Sequence, residues 1–297
     1  MFEFLKSLFP EKKEGAVLGK SLPHADDFED VTDMSEPKTK TVYRVASCQS
    51  NGRARTHNED TIFTLNNLID GFDSPVSFGI YLVADGMGGH QSGEIASSLA
   101  AQTATRYLME NFFYDFVYDR YNFTDDEVRH HLNNAVDSAQ KLISQRVPGG
   151  GTTLTLVLIL GDRLFFAHVG DCRLYLIGLD GQMTLKTKDH SLVKRLIDLG
   201  EITENEASFH PQRNILYRAL GQNDPFEADI NQFILKKGEQ FLICSDGLWG
   251  VLEENKMNKI LQDKHLNFEE IVCRLVNAAN ELGGPDNISV VLVERLI

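Results

Sequence analysis

Three aspartates stand beside apolar runs of the chain, where a buried carboxylate is unfavourable unless a cation neutralises it. Asp85 and Asp246 each follow such a run and precede a glycine, and Asp286 stands just before another run. Hard divalent ions such as Mg²⁺ and Mn²⁺ take oxygen ligands, and a neighbouring glycine lets the backbone come close to an ion. Because a single Asp-Gly pair is more often an ordinary turn, only the whole set predicts a metal site.

A second group of reactive side chains lies in the segment 55–60, which reads RTHNED. It brings Arg55, Glu59 and Asp60 together just after a predicted strand. The planar guanidinium of an arginine fits a phosphate dianion, but an arginine among carboxylates also serves as their ion-pair partner. The residue types alone leave both roles of Arg55 open.

Short β-branched and apolar runs must position these side chains, and they alternate with runs of helical periodicity. The predicted strands are 41–48, 79–85, 153–160, 164–170, 172–178, 240–246 and 288–296. The predicted helices are about 91–111, 125–146, 252–262 and 267–281.

The spacing of the strands decides between fold classes. Turn signals at Gly161-Asp162 and Asp180-Gly181 place successive strands side by side as hairpins. The stretch 152–188 leaves no room for the helices that a Rossmann fold or a barrel would need after nearly every strand. The order therefore favours antiparallel sheets in an α+β sandwich.

The charge balance argues against nucleic acid as a partner, because 29 basic and 43 acidic residues give a formal net charge of -14, which repels a phosphate backbone. Residues 1–40 end in an acidic stretch without a hydrophobic period, so we expect a flexible segment before a domain that starts near Thr41. The apolar run at 1–9 is too short to span a membrane. Four widely separated cysteines indicate free thiols and a reducing, cytoplasmic setting.

Four stretches of the chain match the sequence motifs of a known family, and they occur in the same order. They are RTHNED at 55–60, VADGMGGHQSGEIAS at 83–97, GTTLTLVLI with HVGDCRLYL across 151–176, and CSDGLWGVL with GGPDNISVVLV near the end. On these residues the chain resembles the metal-dependent serine/threonine protein phosphatases of the PP2C-like, or PPM, family. DGMGGH and the segment 210–221 look like its bacterial branch, and the similarity runs from about Thr41 to Ile297.

The resemblance implies a four-layer α/β/β/α sandwich with two central antiparallel sheets flanked by helices. It also implies two Mn²⁺ or Mg²⁺ ions per chain, with a third, looser ion at Asp171. The expected ligands of the ion pair are Asp60, Asp85, Asp246, Asp286 and the carbonyl of Gly86. Arg55 is expected to hold the substrate phosphate and Glu59 to support the metal-bound waters. Residues from about 188 to 220 occupy the place of the family's mobile flap.

The implied reaction is a single displacement at phosphorus by water that two ions activate, on a phosphorylated protein that is the target of a serine/threonine kinase. The chain is expected to be a monomer. Two positions depart from the family: Cys172 stands where a serine is usual, and Met87 replaces a histidine of the eukaryotic relatives. The second departure leaves His90, His57 and bulk water as alternative proton donors.

Two other interpretations compete with this one. An enzyme that uses aspartate as its nucleophile would show a D-x-D-x-T run after its first strand, and the sequence has none. A non-enzymatic sensor would keep the fold but lose its metal ligands. Retention of every expected acid speaks against a sensor, and a titration with manganese distinguishes the two.

Overall fold

The computed structural model describes residues 42–69, 75–88, 91–118, 123–222 and 226–297. The predicted flexible segment 1–40, the expected domain start at Thr41 and the alternative proton donor His90 lie outside these residues. In the described part of the chain the strands are β1 (Tyr43–Ser50), β2 (Asp60–Ile69), β3 (Val76–Met87), β4 (Gly151–Thr152), β5 (Leu154–Leu160), β6 (Arg163–Val169), β7 (Arg173–Ile177), β8 (Met183–Leu185), β9 (Asp229–Ile234), β10 (Gln240–Cys244) and β11 (Ile288–Arg295).

The longer helices cover the outer faces of the two sheets. The helices in the described part of the chain are α1 (Gln91–Leu108), α2 (Tyr114–Tyr118), α3 (Asp125–Arg146), α4 (Leu192–Asp198), α5 (Glu204–Ser208), α6 (Asp246–Trp249), α7 (Glu254–Leu261) and α8 (Phe268–Glu281). A π-helical turn, Met109–Phe113, joins α1 to α2.

Capping boxes set where two of the predicted long helices begin. The Thr124 hydroxyl accepts a hydrogen bond from the Glu127 N–H, while the Glu127 carboxylate accepts from the Thr124 N–H. Asn267 and Glu270 repeat this exchange before α8. Each box satisfies backbone donors that the first helical turn leaves free, and the helices predicted over 125–146 and 267–281 are confirmed.

The strands form two antiparallel sheets. Their orders are β1-β11-β10-β7-β8 and β2-β3-β5-β6-β9, with β4 paired to β3. The hairpin β5–β6 turns at Gly161 and the hairpin β7–β8 at Gly181, and both glycines have positive φ, 62° and 76°. Tight hairpin turns need such φ values, so the predicted turns and the antiparallel pairing are confirmed.

Three apolar clusters lie at the three interfaces of a four-layer structure. Helices α1 and α3 pack on the outer face of the β3 sheet, where Leu132 and Leu82 are buried. Helix α8 packs on the outer face of the β11 sheet. The inner faces of the sheets meet around Val83 and Ile243. Neighbours Leu82 and Val83 enter different clusters because strand side chains alternate between faces, and the predicted α/β/β/α sandwich is confirmed.

Some elements escape prediction from the sequence. Strand β2 mixes polar and apolar residues and is only partly buried, while α4, α5 and α6 are too short for a helical period to be visible. None of the helices in the described ranges is both long and apolar enough to cross a membrane.

Candidate metal centre

Asp60 and Asp85 stand opposite each other at one end of the β2–β3 pair. Asp60 is the first residue of β2, and Asp85, near the end of β3, is its register partner. Directly opposed residues of antiparallel strands have Cα atoms about 5 Å apart. The pairing therefore holds two of the predicted ligands together at the same end of the sheet.

The carboxylate of Asp60 also joins this sheet to the other one. Its Oδ2 accepts hydrogen bonds from Ser245 Oγ at 2.9 Å, just after β10, and from Ser289 Oγ at 2.6 Å, in β11. Its Oδ1 is buried and has no hydrogen-bond partner. The pKa of Asp60 is raised to about 7: burial raises it most, the charges of Asp246 and Asp286 add to the rise, and the two serine bonds oppose it.

Asp246 enters the same cluster from the second sheet. It begins α6 just after β10, and its Oδ1 is likewise buried without a hydrogen-bond partner. The pKa of Asp246 is raised to about 6: burial raises it most, the charge of Asp286 adds to the rise, and hydrogen bonding with Asp85 opposes it. Burial and the charges of Asp60 and Asp246 hold the pKa of Asp85 well above its usual range.

The backbone at Gly86 is packed too tightly for any side chain. A Cβ at this position would lie 2.2 Å from Gly93 O and 2.6 Å from Glu59 O. The Gly86 N–H donates to Glu59 O at 3.2 Å, and a Cβ on Gly93 would lie 2.3 Å from Glu59 Oε2. The two glycines thus let β3, α1 and the side chain of Glu59 meet beside Asp85.

Arg55 and Asp286 are paired with each other. Arg55 Nη2 lies 2.8 Å from Asp286 Oδ2, and Asp286 Oδ1 accepts a hydrogen bond from the Asn287 N–H at 2.9 Å. The side chain of Arg55 is 52% exposed, so it stands at the rim of the cluster. The structure therefore shows the ion-pair role of Arg55 that the residue types left open.

Asn287 holds the loop that carries Arg55 and Glu59. Its Nδ2 donates to Asn51 O at 3.0 Å and to His57 O at 2.8 Å, and its Oδ1 accepts from the Glu59 N–H at 2.8 Å. Asn287 is buried, whereas Asn51 and His57 are exposed, so these bonds are partly shielded from water. One side chain next to Asp286 thus fixes the path of the whole RTHNED segment.

Asp171 lies in the turn between β6 and β7 and is buried. Trp249 Nε1 donates to its carbonyl oxygen at 3.0 Å. The guanidinium of Arg173 stacks 3.7 Å from the centre of the Trp249 ring and pairs with Asp189 Oδ2 at 2.8 Å. Burial, together with the charges of Asp246 and Asp189, holds the pKa of Asp171 well above its usual range. Asp171 therefore extends the carboxylate cluster toward the start of the predicted flap.

The donors of this cluster fit divalent cations. A buried carboxylate oxygen without a partner needs a cation or a proton, and Asp60 and Asp246 each present one. Among the described residues, no three Asp, Glu, His or Cys side chains form a finished ligand cage. Because Mg²⁺ keeps several waters and takes only one or two carboxylates, the donor set suits ions that are held partly through water.

Sequence reasoning assigned no role to Ser245, Ser289 and Asn287. All three stand next to a predicted ligand or strand, in CSDG and PDNIS. Serine and asparagine are also common turn residues, so their types alone do not distinguish them. The one signal in the sequence for a role at the site is that these residues lie within three positions of Asp246 or Asp286.

The four-layer sandwich carries a carboxylate cluster at the meeting ends of both sheets and an arginine at its rim, an arrangement that fits a metal-dependent phosphatase. A family model of protein phosphatase 2C matches residues 53–292 of this chain. The chain therefore belongs to the protein phosphatase 2C family.

Relatives and solved structures agree with this assignment. The serine/threonine phosphatase stp of Listeria innocua is 35% identical over 250 residues, which cover 82% of this chain and 92% of that protein. The S. agalactiae serine/threonine phosphatase superposes with a TM-score of 0.74 at 32% identity, over 85% of this chain and 99% of that one. The catalytic domain of the phosphatase PstP was solved in complex with two manganese ions. It superposes with a TM-score of 0.70 at 31% identity, over 87% of this chain and 100% of that one.

These matches place the chain among the bacterial members of the family. The chain is a metal-dependent protein serine/threonine phosphatase.

Proposed function

We propose that the carboxylate cluster binds two divalent cations, Mn²⁺ or Mg²⁺, for the hydrolysis of phosphoserine and phosphothreonine in proteins. The observation that carries the proposal is the pair of buried, unpartnered oxygens, Asp60 Oδ1 and Asp246 Oδ1, which come from different sheets. Asp85, Asp286 and the carbonyl of Gly86 complete the proposed ligand set. The PstP catalytic domain, which was solved with two manganese ions, supports a pair of ions.

Bound divalent ions lower the pKa of water, so that hydroxide is available at neutral pH, and neutralise charge on a phosphate. Arg55 binds the equatorial phosphate oxygens with its planar fork, which its 52% exposure permits, while its bond to Asp286 yields. Glu59, held by Asn287, directs its carboxylate to the waters of the site. Hydrolysis is then a single displacement without a phosphoenzyme.

The proposal extends to the surroundings of the site. Asp171 binds a third, looser ion, and residues 188–220 form a flap over the centre. The His190 N–H donates to Gly170 O at 2.7 Å at the start of this segment, and the Leu220 N–H donates to Thr152 O at 2.8 Å at its end. Both anchors lie beside the cluster, so a flap between them would border the bound substrate.

The phosphatase domain would comprise residues 41–297, with 1–40 as a flexible segment. It would act as a monomer in the cytoplasm on the targets of a serine/threonine kinase. Four free cysteines support a reducing compartment. Of the alternative proton donors, His57 lies exposed on the loop that carries Arg55.

Hydrolysis of p-nitrophenyl phosphate and of a phosphothreonine peptide in manganese buffer tests the proposal. Asp60→Ala and Asp246→Ala should each abolish turnover. Asp126→Ala is the matched control, because that aspartate side chain is 91% exposed on α3, and this variant should keep wild-type activity. Full activity in either site variant would overturn the assignment, and a wild-type protein that binds phosphopeptide without metal or turnover would be a sensor.

A further inference from the structure

His190 lies at the start of the proposed flap, residues 188–220, and binds both backbone polar groups of Gly170. Its N–H donates to Gly170 O at 2.7 Å, and its Nδ1 accepts a hydrogen bond from the Gly170 N–H at 3.1 Å. Both residues are buried, so water competes little with these bonds. Gly170 directly precedes Asp171. One residue of the flap segment therefore holds the backbone that leads into the proposed ligand of the third ion.

Gly170 is packed tightly between His190 and Thr153. Its φ is 106°, a value that favours glycine, and a Cβ at this position would lie 2.5 Å from Thr153 Cβ. The Thr153 N–H donates to Asp85 O at 2.8 Å, and Thr153 Oγ1 accepts from the Asp85 N–H at 2.9 Å. The turn before Asp171 thus joins the surroundings of Asp85 to the flap segment.

The second ring nitrogen of His190 is bound to Asp229. An Nδ1 that accepts a hydrogen bond carries no proton, so the ring proton lies on Nε2, which donates to Asp229 Oδ2 at 3.2 Å. Arg218 Nη1 lies 3.4 Å from Nε2 but donates to Asp229 Oδ1 at 2.9 Å. A carboxylate at one imidazole nitrogen determines the state of the other nitrogen. Asp229 therefore presents His190 Nδ1 to Gly170 as an acceptor.

The two ends of the flap segment meet at His190. The Tyr217 N–H donates to His190 O at 2.9 Å, and a β-bridge joins Ser191 to Leu216. Arg218 follows directly and bonds to the carboxylate that orients the imidazole. A displacement of either end of the segment would therefore reach the turn before Asp171 through this one residue.

A second buried histidine lies beside the first. The ring centroids of His168 and His190 are 4.9 Å apart. His168 Nε2 donates to Lys188 O at 3.1 Å, and its Nδ1 accepts from Thr155 Oγ1 at 2.9 Å. His168 lies on β6, which ends just before Gly170. The start of the flap segment is thus bonded to the sheet at two positions, of which His190 is the one that binds the turn.

We propose that His190, oriented by Asp229, is a positioning residue that couples the flap segment to Asp171. The inference rests on the proposed role of Asp171 as the ligand of a third ion. His190 is not a proton donor to the substrate, because both ring nitrogens are bonded within the protein and the side chain is only 2% exposed. A phosphoprotein that displaces the segment would strain the bonds to Gly170 and change the affinity of the third site. Because coupling between two sites is reciprocal, an ion at Asp171 would in turn stabilise the segment.

Two substitutions separate the bonds of the His190 side chain. The amide oxygen of asparagine occupies the place of Nδ1 and can accept from the Gly170 N–H, whereas the amide of glutamine reaches the place of Nε2 and can keep the bond to Asp229. His190→Asn should therefore keep most of the coupling, and His190→Gln should lose it. His265→Gln replaces an exposed histidine and is the matched control.

Amide hydrogen exchange of the full-length, chelator-stripped protein measures the coupling without metal or activity. Exchange in peptides that contain Gly170, and in the flap segment, should be about tenfold faster in His190→Gln than in the wild type, because a hydrogen bond that protects the turn is lost. His190→Asn and His265→Gln should stay near the wild type. Peptides from α8 serve as the reference for global unfolding and should not change in any variant.

Calorimetric titration with Mn²⁺ tests the consequence for the ion. The weakest Mn²⁺ equivalent should bind about fivefold or more weakly in His190→Gln, while the tighter equivalents stay as in the wild type. Unchanged exchange at Gly170 in His190→Gln, equal losses in His190→Asn and His190→Gln, or a third equivalent of unchanged affinity in His190→Gln would each overturn the inference. A wild type that binds only two equivalents, with Gly170 released by His190→Gln and not by His190→Asn, would refute the third ion and support the positioning of the turn.

Discussion

The Ser289 hydroxyl donates a hydrogen bond of 2.6 Å to Asp60 Oδ2 and so connects the two sheets at the candidate metal centre. Ser245 makes the same connection from the end of β10 at 2.9 Å. Together they use one oxygen of Asp60 and leave Oδ1 free of protein partners. The serines thus orient the carboxylate that we propose as a metal ligand.

Replacing Ser289 should weaken metal binding without removing a ligand. Partners that hydrogen-bond to metal ligands typically contribute 10–100-fold to metal affinity, so Ser289→Ala should raise the Mn²⁺ concentration for half-maximal activity by about tenfold or more. Saturating Mn²⁺ should restore most of kcat. Ser47→Ala, an exposed serine on the neighbouring strand β1, is the control and should leave the Mn²⁺ dependence unchanged. An unchanged dependence in Ser289→Ala would contradict the positioning role.

Arg55 and Asp286 are paired in the structure, but substitutions of the two should have different effects. Loss of Arg55 should affect substrate binding, and loss of Asp286 should affect metal binding. Arg55→Ala removes charged hydrogen bonds to the phosphate, each worth about 1.5–3 kcal/mol, so KM should rise by roughly 10–100-fold. The Mn²⁺ requirement should not rise, because Asp286 keeps its charge and loses a competing cation. Asp286→Ala should show the opposite pattern.

Arg53→Ala is the matched control for this pair, because Arg53 is an exposed arginine on the same loop. Its KM should stay near that of the wild type. A rise in Mn²⁺ requirement without a change in KM for Arg55→Ala would show that Arg55 acts on the metal site alone.

Asn287→Ala should unfold more easily and lose substrate affinity together. The substitution leaves the Asn51 and His57 carbonyls and the Glu59 N–H without the partner that now holds them. Unmade buried hydrogen bonds cost about 1–3 kcal/mol each, so urea unfolding should show a loss of roughly 2–4 kcal/mol. Asn255→Ala, on the exposed surface of α7, should change stability by less than about 0.5 kcal/mol. Equal stability of the two variants would show that Asn287 does not hold the loop.

Protein stripped of divalent ions with a chelator should become less stable as the pH rises. The pKa values of Asp60 and Asp246 are raised to about 7 and about 6 in the folded state, chiefly by burial. Because a raised folded-state pKa means that the native state binds more protons, their contribution to stability is present below about pH 4 and is lost as pH rises through 6 and 7. The melting temperature should therefore fall between pH 5 and pH 8.

Two comparisons make the pH experiment specific. The double variant Asp60→Asn, Asp246→Asn should show a shallower decline, since neither amide titrates. Added Mn²⁺ should stabilise the wild-type protein more at pH 8 than at pH 5, because metal binding requires the ionised carboxylates. A melting temperature of the stripped wild type that climbs from pH 5 to pH 8 would contradict the assigned pKa directions.

Local sequence signals revealed the architecture because most core strands are continuous apolar runs with clear turns between them. Asp85 and Asp246 are visible in the sequence for the same reason, since a carboxylate next to such a run is unusual. Strand β2 escapes because its residues are only partly buried. Its first residue, Asp60, is identified by the sequence motif RTHNED and not by a strand pattern.

Contacts between distant parts of the chain could not be predicted. The bond from Ser289 to Asp60 spans 229 positions, and the pair of Arg55 and Asp286 spans 231. Neither leaves a local pattern. The first bond exists only when the two sheets pack face to face, and the second only when β1 pairs with β11 within one sheet.

Calorimetric titration of the chelator-stripped protein with Mn²⁺ at neutral pH tests most directly whether Asp60 and Asp246 share a centre for two cations. Wild-type protein should bind more than one equivalent, with release of protons, and Asp60→Ala and Asp246→Ala should each lose binding, while Asp126→Ala should bind like the wild type. Absence of Mn²⁺ binding to the wild type, or undiminished binding in both site variants, would contradict the account.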